Sequence, residues 1–279
     1  ITVYAYFAAA YTYTQLDDGT YKVSGNDATK NLTRLDIPAY YQGEAVTYVG
    51  DFDGHASVTN VTIPATVTGI SVMAFNDMAV LESFEITEVS GVEAAYEVID
   101  GVLYCDGGHT LVKYPVAKKD AEGNPETSFT VPATVTKIEA YAVADVVKRS
   151  GGTNNPGEFY GTLTEIRLPD NLTEIGDRAF FERQQMTKIY FGQNPTDGVE
   201  LTIGDYAFAY IWITEGFQLP SSLVSLGEGA FAYDDTVIHA MKLDGGEAEL
   251  VLPEGLKTIG AKAFQNNVWI TKVTIPSTV

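Results

Sequence analysis

Apolar positions along this chain recur as Leu-x-x-apolar-x-apolar followed by Pro, and then as Leu-x-x-Ile-Gly-x-x-Ala-Phe. Leu163 to Phe191 shows the unit in full. Leu163, Ile166 and Leu168 precede Pro169; Leu172, Ile175, Gly176 and Ala179-Phe180 follow; Met186, Ile189 and Phe191 then reopen the pattern 23 residues after Leu163. Ile166 and Leu168, two apart, predict a short strand with both side chains on one face. Pro169 cannot donate a ladder hydrogen bond, so it ends that strand. Leu172 and Ile175 turn inward again, Gly176 permits a tight bend, and Ala179-Phe180 supply a close contact and a bulky plug. One such unit cannot bury its own apolar face, whereas stacked copies can.

The opening recurs as Leu32/Leu35/Ile37, Val58/Val61/Ile63, Leu81/Phe84/Ile86, Ile238/Met241/Leu243 and Ile270/Val273/Ile275. Ile213/Phe217/Leu219 carries one extra residue, read as a bulge at Gly216. The closing half recurs with one spacing at Val67/Ile70/Ala74-Phe75, Leu223/Leu226/Ala230-Phe231 and Leu256/Ile259/Ala263-Phe264. These repeats predict a solenoid, α/β or mainly β, with short parallel strands. Ahead of them, residues 11 to 25 read as a β-hairpin turning at Asp18-Gly19. Residues 1–31 are therefore assigned to an N-terminal capping region and 32–279 to the solenoid. Two departures from the period, at about 89–128 and 147–161, are expected to loop out on one side of the stack. The first contains two strand-like runs around Gly107-Gly108; the second is rich in Gly, Asn and Pro. The pattern stops partway into another unit at Val279, where further repeats are expected.

The chain has 279 residues, of which 45% are apolar and 19% charged, the balance of an ordered protein. Its formal charge of -20 repels phosphate backbones and anionic lipid, which disfavours nucleic-acid and membrane-surface partners. A single cysteine, Cys105, rules out an internal disulfide framework and a cysteine zinc site. No apolar run approaches the ~18 residues of a membrane span. The start, ITVYAYFAAAYTYTQL, lacks a basic leader and alternates aromatics with threonine, so it reads as strand rather than signal peptide.

The combined pattern resembles the BspA-like class of leucine-rich repeats, found mostly on the surfaces of oral and gut bacteria and of some mucosal protists. The inserted run IDGVLYCDGGHTLVKYP resembles a hairpin common in that class. Val143 stands where Phe is usual, and Met78, Arg183, Ile211, Asp234 and Asn267 stand where the class often has Cys. The resemblance implies a curved solenoid outside the cell or on its surface. It also implies adhesion or recognition, in several cases of host extracellular-matrix proteins.

Catalytic constellations are scarce. His55, His109 and His239 lie in different repeats or inserts without metal-ligand spacing, and Cys105 has no activating neighbour. Asp51-x-Asp53-Gly54 is only a fragment of a calcium loop. No catalytic, metal or cofactor residue is assigned, and the chain is read as a non-enzyme. Binding candidates come from the strand position between the two inward residues, whose side chain faces outward. Asp36, Thr62, Glu85, Thr130, Arg167, Tyr190, Gln218, Lys242, Val251 and Thr274 form that row, with Asn60, Glu165, Lys188 and Lys272 beside it. Of these, Arg167, Tyr190, Lys188, Gln218, Lys242, Asp36 and Glu85 are the candidate protein-binding residues, led by the Arg167–Tyr190 pair. The alternative is a glycan-binding surface protein for carbohydrate capture, using Tyr104, Phe159 and Tyr160 in the inserts.

Overall fold

The computed structural model describes residues 11–144, 147–148, 158–159, 161–211, 213, 217–232, 248–267 and 270–279. All regular elements among them are strands, so the solenoid is of the mainly-β kind. Most coils lay down two strands rather than one. The first comes from the half that precedes proline. Arg34–Asp36, Asn60–Pro64 and Ser83–Thr87 pair in parallel, as do Ser128–Thr130, Glu165–Arg167 and Lys188–Tyr190, and Ala248–Val251 with Ile270–Thr274. The second comes from the Leu-x-x-Ile half. Lys137–Ile138, Glu174–Ile175, Leu201–Ile203, Leu223–Leu226 and Thr258–Ile259 form a second parallel ladder.

The repeat residues hold one coil on the next. Gly176, Gly204, Gly227 and Gly260 donate their amides to Ile138, Ile175, Ile203 and Leu226, each at 2.8 Å. Here the backbones approach so closely that a Cβ on Gly204 would fall 2.8 Å from the Asp177 amide nitrogen. The Ala-Phe plugs form a column: Phe180–Phe208, Phe208–Phe231 and Phe231–Phe264 stack at 4.7, 5.0 and 5.5 Å with planes within 7° of parallel. Val143, fully buried, occupies the place of the missing ring next to Phe180. Just before Ala142-Val143 and the four plugs of the column the chain enters the left-handed region. Tyr141, Arg178, Tyr206 and Lys262 have φ of 58, 53, 54 and 60°, and Gly229 has 57°. Such a conformation costs a non-glycine residue about 1–3 kcal/mol. Bonds to the following coil hold it, from the amides of Tyr141, Arg178, Tyr206 and Gly229 to the carbonyls of Asp177, Asp205, Glu228 and Ala261. The side chains of this row stack too, with the Arg178 guanidinium 5.2 Å from the Tyr206 ring and 6.0 Å from that of Tyr141.

At the N-terminal end, Thr12–Gln15 and Tyr21–Ser24 form the expected hairpin. Tyr21–Ser24 then pairs in parallel with Glu44–Val49, which pairs with Gly69–Ile70, so the hairpin begins a second ladder of its own. Val23 is fully buried on the core, and Tyr13 stacks on Tyr41 at 3.7 Å.

The first insert does not loop out. Tyr96–Ile99, Val102–Cys105 and Thr110–Lys113 form an antiparallel three-stranded sheet whose last strand pairs in parallel with Lys137–Ile138. Both its faces are covered, because alternate residues have apolar partners on opposite sides. Leu103, Tyr96, Val98 and Val112 pack with the core of residues 11–84. Val102, Tyr104 and Leu111 pack with the core of residues 114–256. The insert is therefore a partition within the stack. Its return path is pinned by Lys118, which is 4% exposed and bridges Asp100 and Glu126 at 2.8 Å each. Burial opposes the charge on Lys118, yet its hydrogen bonds to the two carboxylates prevail and raise its pKa.

Of the second insert, Val147–Lys148 and Glu158–Phe159 pair antiparallel. Residues 1–10, the Ile238/Met241/Leu243 unit, Gly216, Trp212 and Trp269 lie outside the described residues.

Candidate functional site

Among the described residues the outward row expected across one sheet face is present as three blocks: Arg34–Asp36 to Ser83–Thr87, Ser128–Thr130 to Lys188–Tyr190, and Ala248–Val251 with Ile270–Thr274. In the first block, Asp36, Thr62 and Glu85 stand side by side, and so do Arg34, Asn60 and Ser83. Arg34 organises them. Its Nε lies 2.7 Å from Asp36 Oδ1, and its Nη2 lies 2.6 Å from Thr62 Oγ1 and 2.8 Å from Glu85 Oε2. Its hydrogen bonds to Glu85 and Asp36 push its pKa above the ordinary arginine value, so it is charged at every relevant pH. Arg34 was not among the expected site residues. The signal was there: it sits two residues before Asp36 on the same strand, hence on the same face.

The second block brings together Thr130, Arg167 and Tyr190 in one row and Ser128, Glu165 and Lys188 in the next. The expected Arg167–Tyr190 pair is in contact: the guanidinium carbon lies 4.3 Å from the ring centroid. Glu165 accepts from Arg167 Nη2 at 2.7 Å, holding the guanidinium against the ring. The arrangement is a cation stacked on an aromatic face and steered by a carboxylate on its own strand. About half of the Arg167 side chain remains in contact with solvent, so the planar group is presented rather than buried. In the third block Lys272 meets Glu249 at 2.8 Å, and Thr274 donates to the same oxygen at 2.9 Å. Hydrogen bonds from Lys272 and then Thr274 lower the Glu249 pKa.

Gln218 is exposed, between buried Leu219 and half-buried Phe217, in a segment that forms no strand. Lys242 lies outside the described residues, as do Tyr160 and the side chain of Phe159. Tyr104 is corrected: it is 1% exposed, on the partition face that packs on the C-terminal core, and cannot stack on a sugar. That removes the one glycan candidate whose side chain is described.

His55 is buried, with Nδ1 2.9 Å from the Phe52 carbonyl and Nε2 2.7 Å from Thr29 Oγ1, which ties the segment after the hairpin to the first coils. His109 Nδ1 sits 2.7 Å from the Asp106 carbonyl, and His239 lies outside the described residues. Burial first, and then Asp106, push the Cys105 thiol up to about 12, the opposite of an activated nucleophile. Among the described residues no group of three or more His, Cys, Asp or Glu side chains converges as a metal centre. An open trough of about 430 Å³ on the second ladder is lined by Glu139, Glu174 and Asp177. Lys137 bridges Glu139 at 3.2 Å and Glu174 at 3.5 Å, so these two carboxylates share a counter-ion. No helix among the described residues is long and apolar enough to cross a membrane.

Comparison with protein families matches the BspA type leucine rich repeat region, in six copies, over residues 28–95 and 155–279. Among solved structures the chain is similar to a leucine-rich cell-surface protein from Faecalibacterium prausnitzii A2-165. The two are 16% identical with a TM-score of 0.51, over 96% of this chain and 93% of that one. The pneumococcal vaccine antigen PcpA matches at 13% identity and a TM-score of 0.45, over 91% of this chain and 84% of that one. A leucine-rich repeat protein from Bacteroides ovatus ATCC 8483 matches at 21% identity and a TM-score of 0.39, over 95% of this chain and 69% of that one. No curated protein matches.

Proposed function

This chain belongs to the BspA-type leucine-rich-repeat family, and on that footing we propose that it is a non-enzymatic recognition module working at a cell surface. Its partner is a protein of the host matrix or of a neighbouring cell, engaged through the outward blocks of the first ladder. The observation that carries this reading is Arg167, stacked on Tyr190 and steered by Glu165. Arginine and tyrosine are the residue types favoured as interface anchors, and a side chain already held in place loses less entropy on binding. Support for an extracellular setting comes from the similarity to the cell-surface protein of Faecalibacterium prausnitzii.

The test is biolayer interferometry of the chain against immobilised collagen, fibronectin, laminin and fibrinogen. At least one surface should bind saturably, and Arg167→Ala or Tyr190→Ala should weaken that binding about tenfold or more, as expected of an anchor worth at least 1.4 kcal/mol. Absence of saturable binding to the whole panel, or unchanged affinity in both variants, sinks the reading.

A further inference from the structure

Three observations converge on the inserted sheet. The first concerns the apolar cores. Tyr96, Val98, Leu103 and Val112 face one cluster, which gathers residues from Tyr11 to Phe84. Val102, Tyr104 and Leu111 face the other, which runs on to Leu256. Neighbouring residues of one strand thus belong to different cores.

The second concerns the ladders. Arg34–Asp36, Asn60–Pro64 and Ser83–Thr87 form a closed set, and pairing of the first ladder resumes only at Ser128–Thr130. The second ladder stops likewise at Gly69–Ile70 and restarts with the partition itself. Beyond the packing of Tyr96, Val98, Leu103 and Val112 on the first core, no strand pairing among the described residues joins the sides, only single bonds such as Phe84 N to Gly101 O at 3.0 Å, Ala117 N to Leu81 O at 2.8 Å, Lys119 to Glu82 at 2.6 Å, and Lys113 to Asn76 Oδ1 at 2.7 Å. A cavity of about 140 Å³ opens at this level, with Ile70, Val72 and Phe75 on one side and Tyr96, Val112 and Glu139 on the other. Both ladders break where this cavity opens, so strand pairing does not carry cooperativity from one side to the other.

The third is the family match itself, which ends at residue 95 and resumes at 155. The partition begins at Tyr96.

We infer that the insert is a two-sided cap that divides the solenoid into two cooperative units, residues 11–87 and 128–279, joined by an elbow. Stacks of repeats are stabilised by nearest-neighbour interfaces, so a poorly coupled interface separates their unfolding. The inference is independent of the proposed binding role. It does place the Arg34 block and the Arg167 block on different units.

The experiment is hydrogen exchange with mass spectrometry across a urea series, following peptides from residues 34–87 and 165–231. Tryptophan emission is read alongside, since Trp212 and Trp269 both fall in the sequence after residue 128. Leu103→Ala should lower the midpoint of the first set of peptides alone. Leu111→Ala should lower that of the second set and of tryptophan emission alone. If the wild-type midpoints coincide, either substitution should split them. Should an alanine variant fail to fold, Leu103→Val and Leu111→Val take its place. One shared midpoint in the wild type that both substitutions move together overturns the inference.

Discussion

Phe208 offers the sharpest measure of how the coils hold together. It is 2% exposed and lies between two parallel rings, Phe180 at 4.7 Å and Phe231 at 5.0 Å, with Phe191 edge-on at 5.7 Å. Truncating a buried phenylalanine costs roughly 3–5 kcal/mol, and each aromatic pair carries about 0.5–1.5 kcal/mol beyond area burial. With neighbours on both faces, Phe208→Ala belongs at the upper end, about 4–5 kcal/mol. Phe264 is half-buried and has one stacked neighbour, Phe231, so Phe264→Ala should cost less, about 1–3 kcal/mol. Phe208→Leu keeps most of the volume and loses the rings, which places it near 1–2 kcal/mol. Urea unfolding by tryptophan emission measures all three, with the slope of each transition checked for constancy. A cost below about 1 kcal/mol for Phe208→Ala, typical of surface positions, would refute the column. So would a Phe264→Ala cost equal to or above it, since the gradient follows from the number of stacked faces.

Two further outcomes follow from the insert. Lys118→Met leaves Glu126 without its buried counter-ion and should destabilise by about 3 kcal/mol, Asp100 adding little because it is solvent-exposed; wild-type protection of residues 96–126 in hydrogen exchange would contradict this. Cys105, whose thiol is pushed up to about 12, should resist iodoacetamide at pH 8 and react in urea, where its pKa returns to about 8.5. Because the folded value is the higher one, its contribution to stability is full below pH ~8.5 and fades as pH rises toward 12. Equal labelling rates with and without urea would exclude a thiol shielded in the fold.

Much of the architecture was legible because repetition amplifies weak signals. Ile166 and Leu168 could be read as a strand face, and Phe180 as a plug, since the same spacing returns along the chain. The second ladder was harder to see. Glu174–Ile175 and Thr258–Ile259 are two residues long, too short for alternation to register. Tyr104 was misplaced because Val102, Leu103 and Tyr104 are all buried, and burial on both faces erases the alternation that marks an exposed side. The outward position of Arg167 beside Tyr190 followed from periodicity alone, whereas the steering by Glu165 required side-chain geometry. The left-handed row was invisible, since Tyr, Arg and Lys are not residues that announce a positive φ.

That row bears on how the chain is made. The amides of Tyr141, Arg178, Tyr206 and Gly229 find their acceptors in the next coil toward the C-terminus, at Asp177, Asp205, Glu228 and Ala261. During synthesis each turn therefore emerges before the carbonyl that will hold it, and waits for roughly one more coil of chain, a second or a few at ~5–20 residues per second. The youngest coil at the ribosome is always the loosest, and the array closes behind the growing end like a zip.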